Sequence, residues 1–230
     1  GFLFVALVGN VRAVTPDSWR WMMLVGAAPA VLGLLIPFAV PESERWRASV
    51  RKAASRPLRE IFAPGLRKHT LLAIVFASVP LIGTWAAVSG WVPVWADQLA
   101  GPARPHAKAT TQVIISIGAI LGCFFAPIIG GKVGRRPAYF ALCLLSLGFC
   151  ALLFRTATEY GAWFLALTGI VGCVTAAFYG WMPLYLPELF PTRVRATGQG
   201  LSFNFGRILA AVGALQMGEL VRVLGGSYAK

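Results

Sequence analysis

The chain has 230 residues, 57 % of them hydrophobic and 13 % charged, with a net charge of +13. Soluble domains carry about a quarter charged residues, and disordered tails, nucleic-acid-binding arms and disulfide scaffolds need charge, glycine and proline, or cysteine in excess, so all four classes are excluded. A polytopic membrane protein remains, and at roughly 20 residues per helical crossing about six spans with their loops fill the chain.

The opening run, Gly1 to Val8, is apolar but short of a span and has no basic flank, so it is expected to be the tail of a helix that begins upstream. Uncharged stretches follow at 21–40, 71–95, 110–131, 138–154 and 160–187, and a sixth at 201–220 is interrupted only by Arg207 and Glu219. Each is near or above the length that crosses ~30 Å of hydrocarbon, where helices satisfy every backbone group. The expected fold class is therefore an all-α membrane protein, a polytopic bundle with about six complete transmembrane helices. In the second stretch, Pro80, Gly83, Gly90 and Pro93 predict a helix that bends.

Lys and Arg number 8, 2, 3, 1, 2 and 1 in the connections after the six stretches, the last count stopping short of terminal Lys230. High counts alternate with low ones, and cytoplasmic loops hold the basic excess, so 41–69, 131–137 and 188–199 are expected inside the cell. Residues 44–60 mix helix formers with cations and predict a short interfacial helix; the competing reading is a solvated basic linker that meets anionic membrane lipid. The charge thus belongs to loops, and no nucleic-acid partner is expected. Cys123, Cys143, Cys150 and Cys173 all fall in apolar runs without metal-site spacing and are read as packing residues. His69 and His106 lie at loops, and no acid, base or metal set converges in the spans. Neither an enzyme, a metal site nor a cofactor is expected.

Three of the connections carry recognisable strings: Pro41-Glu-Ser-Glu-Arg-Trp46, Gly131-Lys-Val-Gly-Arg-Arg-Pro137 and Pro187-Glu-Leu-Phe-Pro-Thr-Arg-Val-Arg-Ala-Thr-Gly198. In order and spacing the sequence resembles the major facilitator superfamily, in the branch shared by sugar porters, organic-ion transporters and metabolite:proton symporters. The resemblance implies twelve helices in the whole protein. Residues 1–40 would be the end of the N-terminal half (part of the fifth helix and the sixth), 41–69 a cytoplasmic linker, and 70–230 the seventh to eleventh helices, with the twelfth missing. It also implies secondary active transport of a small solute by alternating access in a bacterial-type inner membrane, with a coupling proton. Glu42, Arg45, Arg135, Arg136, Glu188 and Arg195 are the expected conformational latch, with Glu188 and Arg195 at the family's spacing. One departure stands out: Gly131 occupies the place where the family carries an aspartate.

For the solute, the seventh stretch of the family map, 71–95, holds no Asn or Gln, the residues with which sugar porters grip hydroxyls. Arg207 points elsewhere. A charge inside a span is costly and faces a bundle interior or a wet cavity. Nine residues beyond Gly198, it lies roughly 13 Å deep, near the midplane. Its planar guanidinium suits a carboxylate, and a buried salt bridge to an acid outside this sequence is the competing role. Asn204 shares its face. Trp85, Ser89, Tyr179 and Trp181 are candidates for the same cavity, with packing or interface anchoring as the aromatics' other role. The expected function is a proton-coupled carrier of a small organic anion; a sugar or neutral-metabolite porter and a non-transporting receptor or scaffold are the alternatives.

Overall fold

In a computed structural model, the described residues are 2–11, 20–41, 44, 47, 57–82 and 86–223. They form helices α1 (Phe2–Val11), α2 (Arg20–Ala27), α3 (Pro29–Ala39), α4 (Pro57–Ile61), α5 (Pro64–Pro80), α6 (Ala86–Gly90), α7 (Val92–Ala100), α8 (Ala107–Val133), α9 (Arg135–Thr156), α10 (Ala162–Tyr185), a 3₁₀ turn (Leu186–Leu189) and α11 (Arg195–Val223). Among the described residues, four stretches are long and apolar enough to cross a membrane: Arg20–Ala39, Ala107–Val133, Arg135–Thr156 and Ala162–Leu189. Their outward faces are apolar, with Phe38, Phe124, Phe140 and Leu147 all more than half exposed. That is the surface expected of a lipid-facing protein.

Two expected spans take a different form. The stretch 71–95 is not one helix. Helix α5 starts earlier, at Pro64, carrying Arg67, Lys68 and His69 in its first two turns, and closes at Pro80 into a π turn at Leu81 and Ile82. A short α6 follows, and Trp91 separates it from α7, which has Pro93 in its first turn. Proline's missing N–H breaks the hydrogen-bond ladder at both places. The sixth stretch is helical over 29 residues, Arg195–Val223, but Asn204, Arg207 and Gln216 leave it below the apolarity of the other four. The basic segment 44–60, where an interfacial helix was expected, is described only at Glu44, Arg47 and its last turn in α4.

Helices α8 and α10 form the spine. A Cβ on Gly118 would collide with the Gly169 carbonyl, one on Gly122 with the Cys173 carbonyl, and one on Gly180 with the Cys123 carbonyl, so the two backbones touch along several turns. Small residues permit this approach, and dispersion and close backbone contact hold helices together where lipid removes the hydrophobic drive. Cys123 adds a thiol hydrogen bond to the Ala176 carbonyl, 3.1 Å. Helix α11 packs on α5 in the same way, Gly206 lying so close that a Cβ there would stand 2.7 Å from Ser78 Cα.

Two apolar clusters stack along the bundle. Ala73, Ala77, Ala126, Phe178, Trp181 and Met182 fill the half nearer the basic loops; Val88, Val92, Trp95, Ile115, Phe164 and Val171 fill the other. Helix α10 feeds both. In the second cluster Trp95 stacks on Phe154 at 5.3 Å and meets Phe164 edge-on.

Candidate functional site

Helix α11 enters the bundle at Arg195, and at 1.5 Å per residue Arg207 lies about 18 Å along it. Ser202 and Gly206 are buried, whereas Asn204 and Arg207 are exposed on the helix's other side. The guanidinium is not isolated. Its central carbon lies 4.8 Å over the Phe203 ring, one turn earlier. Phe203 in turn meets Tyr179 of α10 edge to face, with centroids 5.9 Å apart. Two helices therefore contribute to one cluster of a cation and two rings.

The cluster unites three of the residues singled out in the sequence, Arg207, Asn204 and Tyr179. Asn204 donates its amide N–H to the Gly200 carbonyl, 2.8 Å away, so that donor is spent within its own helix. Trp181 is elsewhere. Two residues beyond Tyr179 puts it roughly 200° around α10, where it is 2 % exposed, packed beside Gly130 and against the rings of Tyr139 and Tyr185. Ser89 is half-buried on α6, next in sequence to Val88 of the second cluster. Trp85 lies outside the described residues. Phe203 is the residue that sequence reasoning missed, although its four-residue spacing from Arg207 is enough to place both on one helical face.

The basic loops build a second constellation. Gly134 alone joins α8 to α9, and its φ of +101° is a conformation that glycine adopts freely. Arg135 therefore begins α9 directly beside the end of α8, where it donates to the Gly130 carbonyl at 3.1 Å. Its remaining donors reach Glu188 of the 3₁₀ turn, Nε at 3.2 Å and Nη2 at 2.7 Å, a fork-to-carboxylate pair. Arg195 is not on Glu188; it donates to the Phe190 carbonyl at 3.4 Å. Arg193 instead pairs with Glu60 of α4. Beside that pair Ile61 is fully buried, and its carbonyl accepts from the Thr70 hydroxyl at 2.6 Å. Arg136 lines an apolar groove of about 470 Å³ with Phe76, Phe140 and Tyr185. Glu42 and Arg45 lie outside the described residues.

At the opposite end, Arg104 donates to the Tyr160 carbonyl at 3.3 Å and sits 5.5 Å over that residue's ring, tying the α7–α8 and α9–α10 connections together.

Comparison with known proteins supplies the frame. The chain is 26 % identical over 230 residues to the sialic acid transporter NanX of Escherichia coli K12, covering 96 % of this chain and 54 % of that one. It is 26 % identical over 216 residues to the cis,cis-muconate transport protein of Acinetobacter baylyi, covering 89 % and 51 %. With the arabinose-proton symporter of Bacillus subtilis it shares 23 % over 226 residues, covering 82 % and 47 %. The chain spans about half the length of the curated relatives it matches. No solved structure matches it. The profile of the Major Facilitator Superfamily matches residues 1–214. A match over that length, on a bundle of membrane-length helices, makes this chain a multi-pass integral membrane protein of the inner-membrane type, and it belongs to the Major Facilitator Superfamily, a family of carriers rather than of enzymes.

Proposed function

We propose that the chain supplies the C-terminal half of a secondary active transporter that carries a small organic anion by alternating access, coupled to protons. The observation that carries this reading is Arg207, a permanent cation well inside a helix, exposed on the side away from the α5 contact and braced by Phe203. A guanidinium in a low-dielectric cavity takes a carboxylate through two parallel hydrogen bonds. Two of the relatives bear the names of acids, sialic acid and muconate, and one that of a proton symporter. The substrate set proposed is Arg207, Asn204 and Tyr179, with Trp85 and Ser89 as wall residues; Trp181 serves packing.

In this reading the loops 41–69, 131–137 and 188–199 face the cytoplasm and anionic lipid. Residues 1–40 close the N-terminal half, 41–69 link the halves, and 70–230 form the C-terminal bundle. Glu42, Arg45, Arg135, Arg136, Glu188 and Arg195 make up a latch that holds one conformation and opens in the other. The pair of Arg135 and Glu188 supports that role, because it ties the α8–α9 turn to the end of α10.

The test is uptake by the complete carrier, normalised to the amount at the surface, for a panel of carboxylates, their amides and neutral sugars. The wild type is expected to prefer acids over amides, and Arg207→Ala is expected to erase that preference. If Arg207 instead holds a structural acid, Arg207→Ala lowers the amount of folded carrier and neutralising the partner acid restores it. A carboxylate-over-amide preference that survives Arg207→Ala overturns the anion-site reading.

A further inference from the structure

The anion site has a wall as well as a charge. Phe203 lies beneath the Arg207 guanidinium at 4.8 Å and is held from the neighbouring helix by Tyr179, whose ring stands at 86° to it. Arginine resting on an aromatic face keeps its fork of donors available to a planar anion. Asn204 spends one amide N–H on Gly200, and the surface beside the guanidinium is supplied by the Phe203 and Tyr179 rings.

We infer that Phe203 is a specificity-determining residue, which with Tyr179 selects flat, conjugated carboxylates over saturated or polyhydroxylated acids of the same charge. The inference rests on the reading of Arg207 as the anion site and deepens it. A carboxylate gripped by both arms of a guanidinium lies in the guanidinium's plane. In a conjugated acid the carbon skeleton continues in that plane, so its π face and edges meet the rings in the offset and edge-on arrangements that aromatic groups favour. A saturated skeleton leaves the plane and presents puckered methylenes to the rings. A hydroxylated skeleton fares worse, because each hydroxyl pressed on a ring gives up water without gaining a partner.

Two pairs of probes separate planarity from charge and size: benzoate against cyclohexanecarboxylate, and cis,cis-muconate against adipate. Binding is read as the shift in melting temperature of the purified complete carrier over a concentration series of each acid. The conjugated member of each pair is expected to bind tighter by about three- to tenfold, the worth of a ring contact. Phe203→Leu is expected to bring both ratios close to one; Phe203→Tyr, which keeps the ring, is expected to retain them. Should Phe203→Leu fail to fold, Tyr179→Leu removes the other ring and is expected to reduce the ratios in the same direction. Equal binding within both pairs by the wild type overturns the inference, as do ratios unchanged in Phe203→Leu. These outcomes leave the anion site standing if Arg207→Ala still loses acid over amide. The converse result, an acid-over-amide preference unchanged in Arg207→Ala, removes the anion site and the inference with it.

Discussion

Arg207 and Arg135 are both helical arginines with aromatic or acidic company, yet their surroundings assign them different work. Arg135 meets a carboxylate of its own chain and a helix-end carbonyl. Arg207 rests on the Phe203 ring, and among the described residues no carboxylate pairs with it. Of these two charges it is the one open to a ligand, and Arg207→Ala is expected to weaken carboxylate binding about ten- to a hundredfold, the worth of a charge-assisted bond. Arg207→Lys keeps the charge but not the planar fork, and is expected to fall between wild type and alanine in a titration of benzoate binding. An alanine variant that binds benzoate as the wild type does would count against the assignment. At this scale the sequence was informative about Arg207, since a cation in an apolar run is conspicuous. For Glu188 the family's spacing offered Arg195 as the partner, whereas the structure pairs it with Arg135. Arg195 is seven residues away and Arg135 fifty-three, and only the meeting of two loops at one end of the bundle selects the distant one. Tyr179 and Trp181 show the same limit: both are large aromatics at the end of one helix, and the turn of the helix sends them to opposite sides.

At the scale of elements, the spans were legible because hydrocarbon tolerates few charges, so the apolar runs mark α8, α9 and α10 almost to their ends. Helix α5 was harder to bound. Its first turns contain Arg67, Lys68 and His69, which an apolar-run criterion discards although long cationic side chains reach out of a membrane readily. The closeness of α8 to α10 was also hidden, because a glycine in a membrane helix looks alike whether it faces lipid or a neighbour. The structure separates the cases. Gly122 abuts the Cys173 backbone, whereas nothing lies within 4 Å of a Cβ at Gly148. Gly122→Val is expected to cost on the order of 1–3 kcal/mol through forced separation of the two helices. Gly148→Ala is expected to be neutral or mildly stabilising, since alanine suits a helix interior better than glycine. Thermal unfolding of the two purified variants checks this; equal melting temperatures would mean that the seam does not bear on stability. For the loops, Arg135→Glu is expected to shift the balance between inward- and outward-open carrier, and adding Glu188→Arg to restore it. Cysteine accessibility on the two sides of the membrane reads the balance, and a double variant no better than the single one would dismiss the latch.

For the whole molecule, the ends of the bundle differ in how they are tied. Two ion pairs, between Arg135 and Glu188 and between Arg193 and Glu60, sit at the end bearing the basic loops. The other end is closed by rings and by Arg104 on Tyr160. With the basic end inside, a single cysteine at Thr197 in a background lacking Cys123, Cys143, Cys150 and Cys173 is expected to resist an impermeant thiol reagent added to intact cells. One at Glu159 is expected to react. The reverse pattern would invert the proposed topology.

The backbone contact between α8 and α10 also sets a clock. Amide protons on abutting helices exchange with solvent only when the pair parts, whereas those near a proline-interrupted segment exchange through small local openings. Deuterium is therefore expected to enter last at Ile115–Ala126 and Gly169–Gly180, and earlier than there at Leu81–Ile82 and Trp91–Val92. Such a gradient would locate the carrier's deformable joint in the broken helix and leave the glycine seam as the body that swings intact.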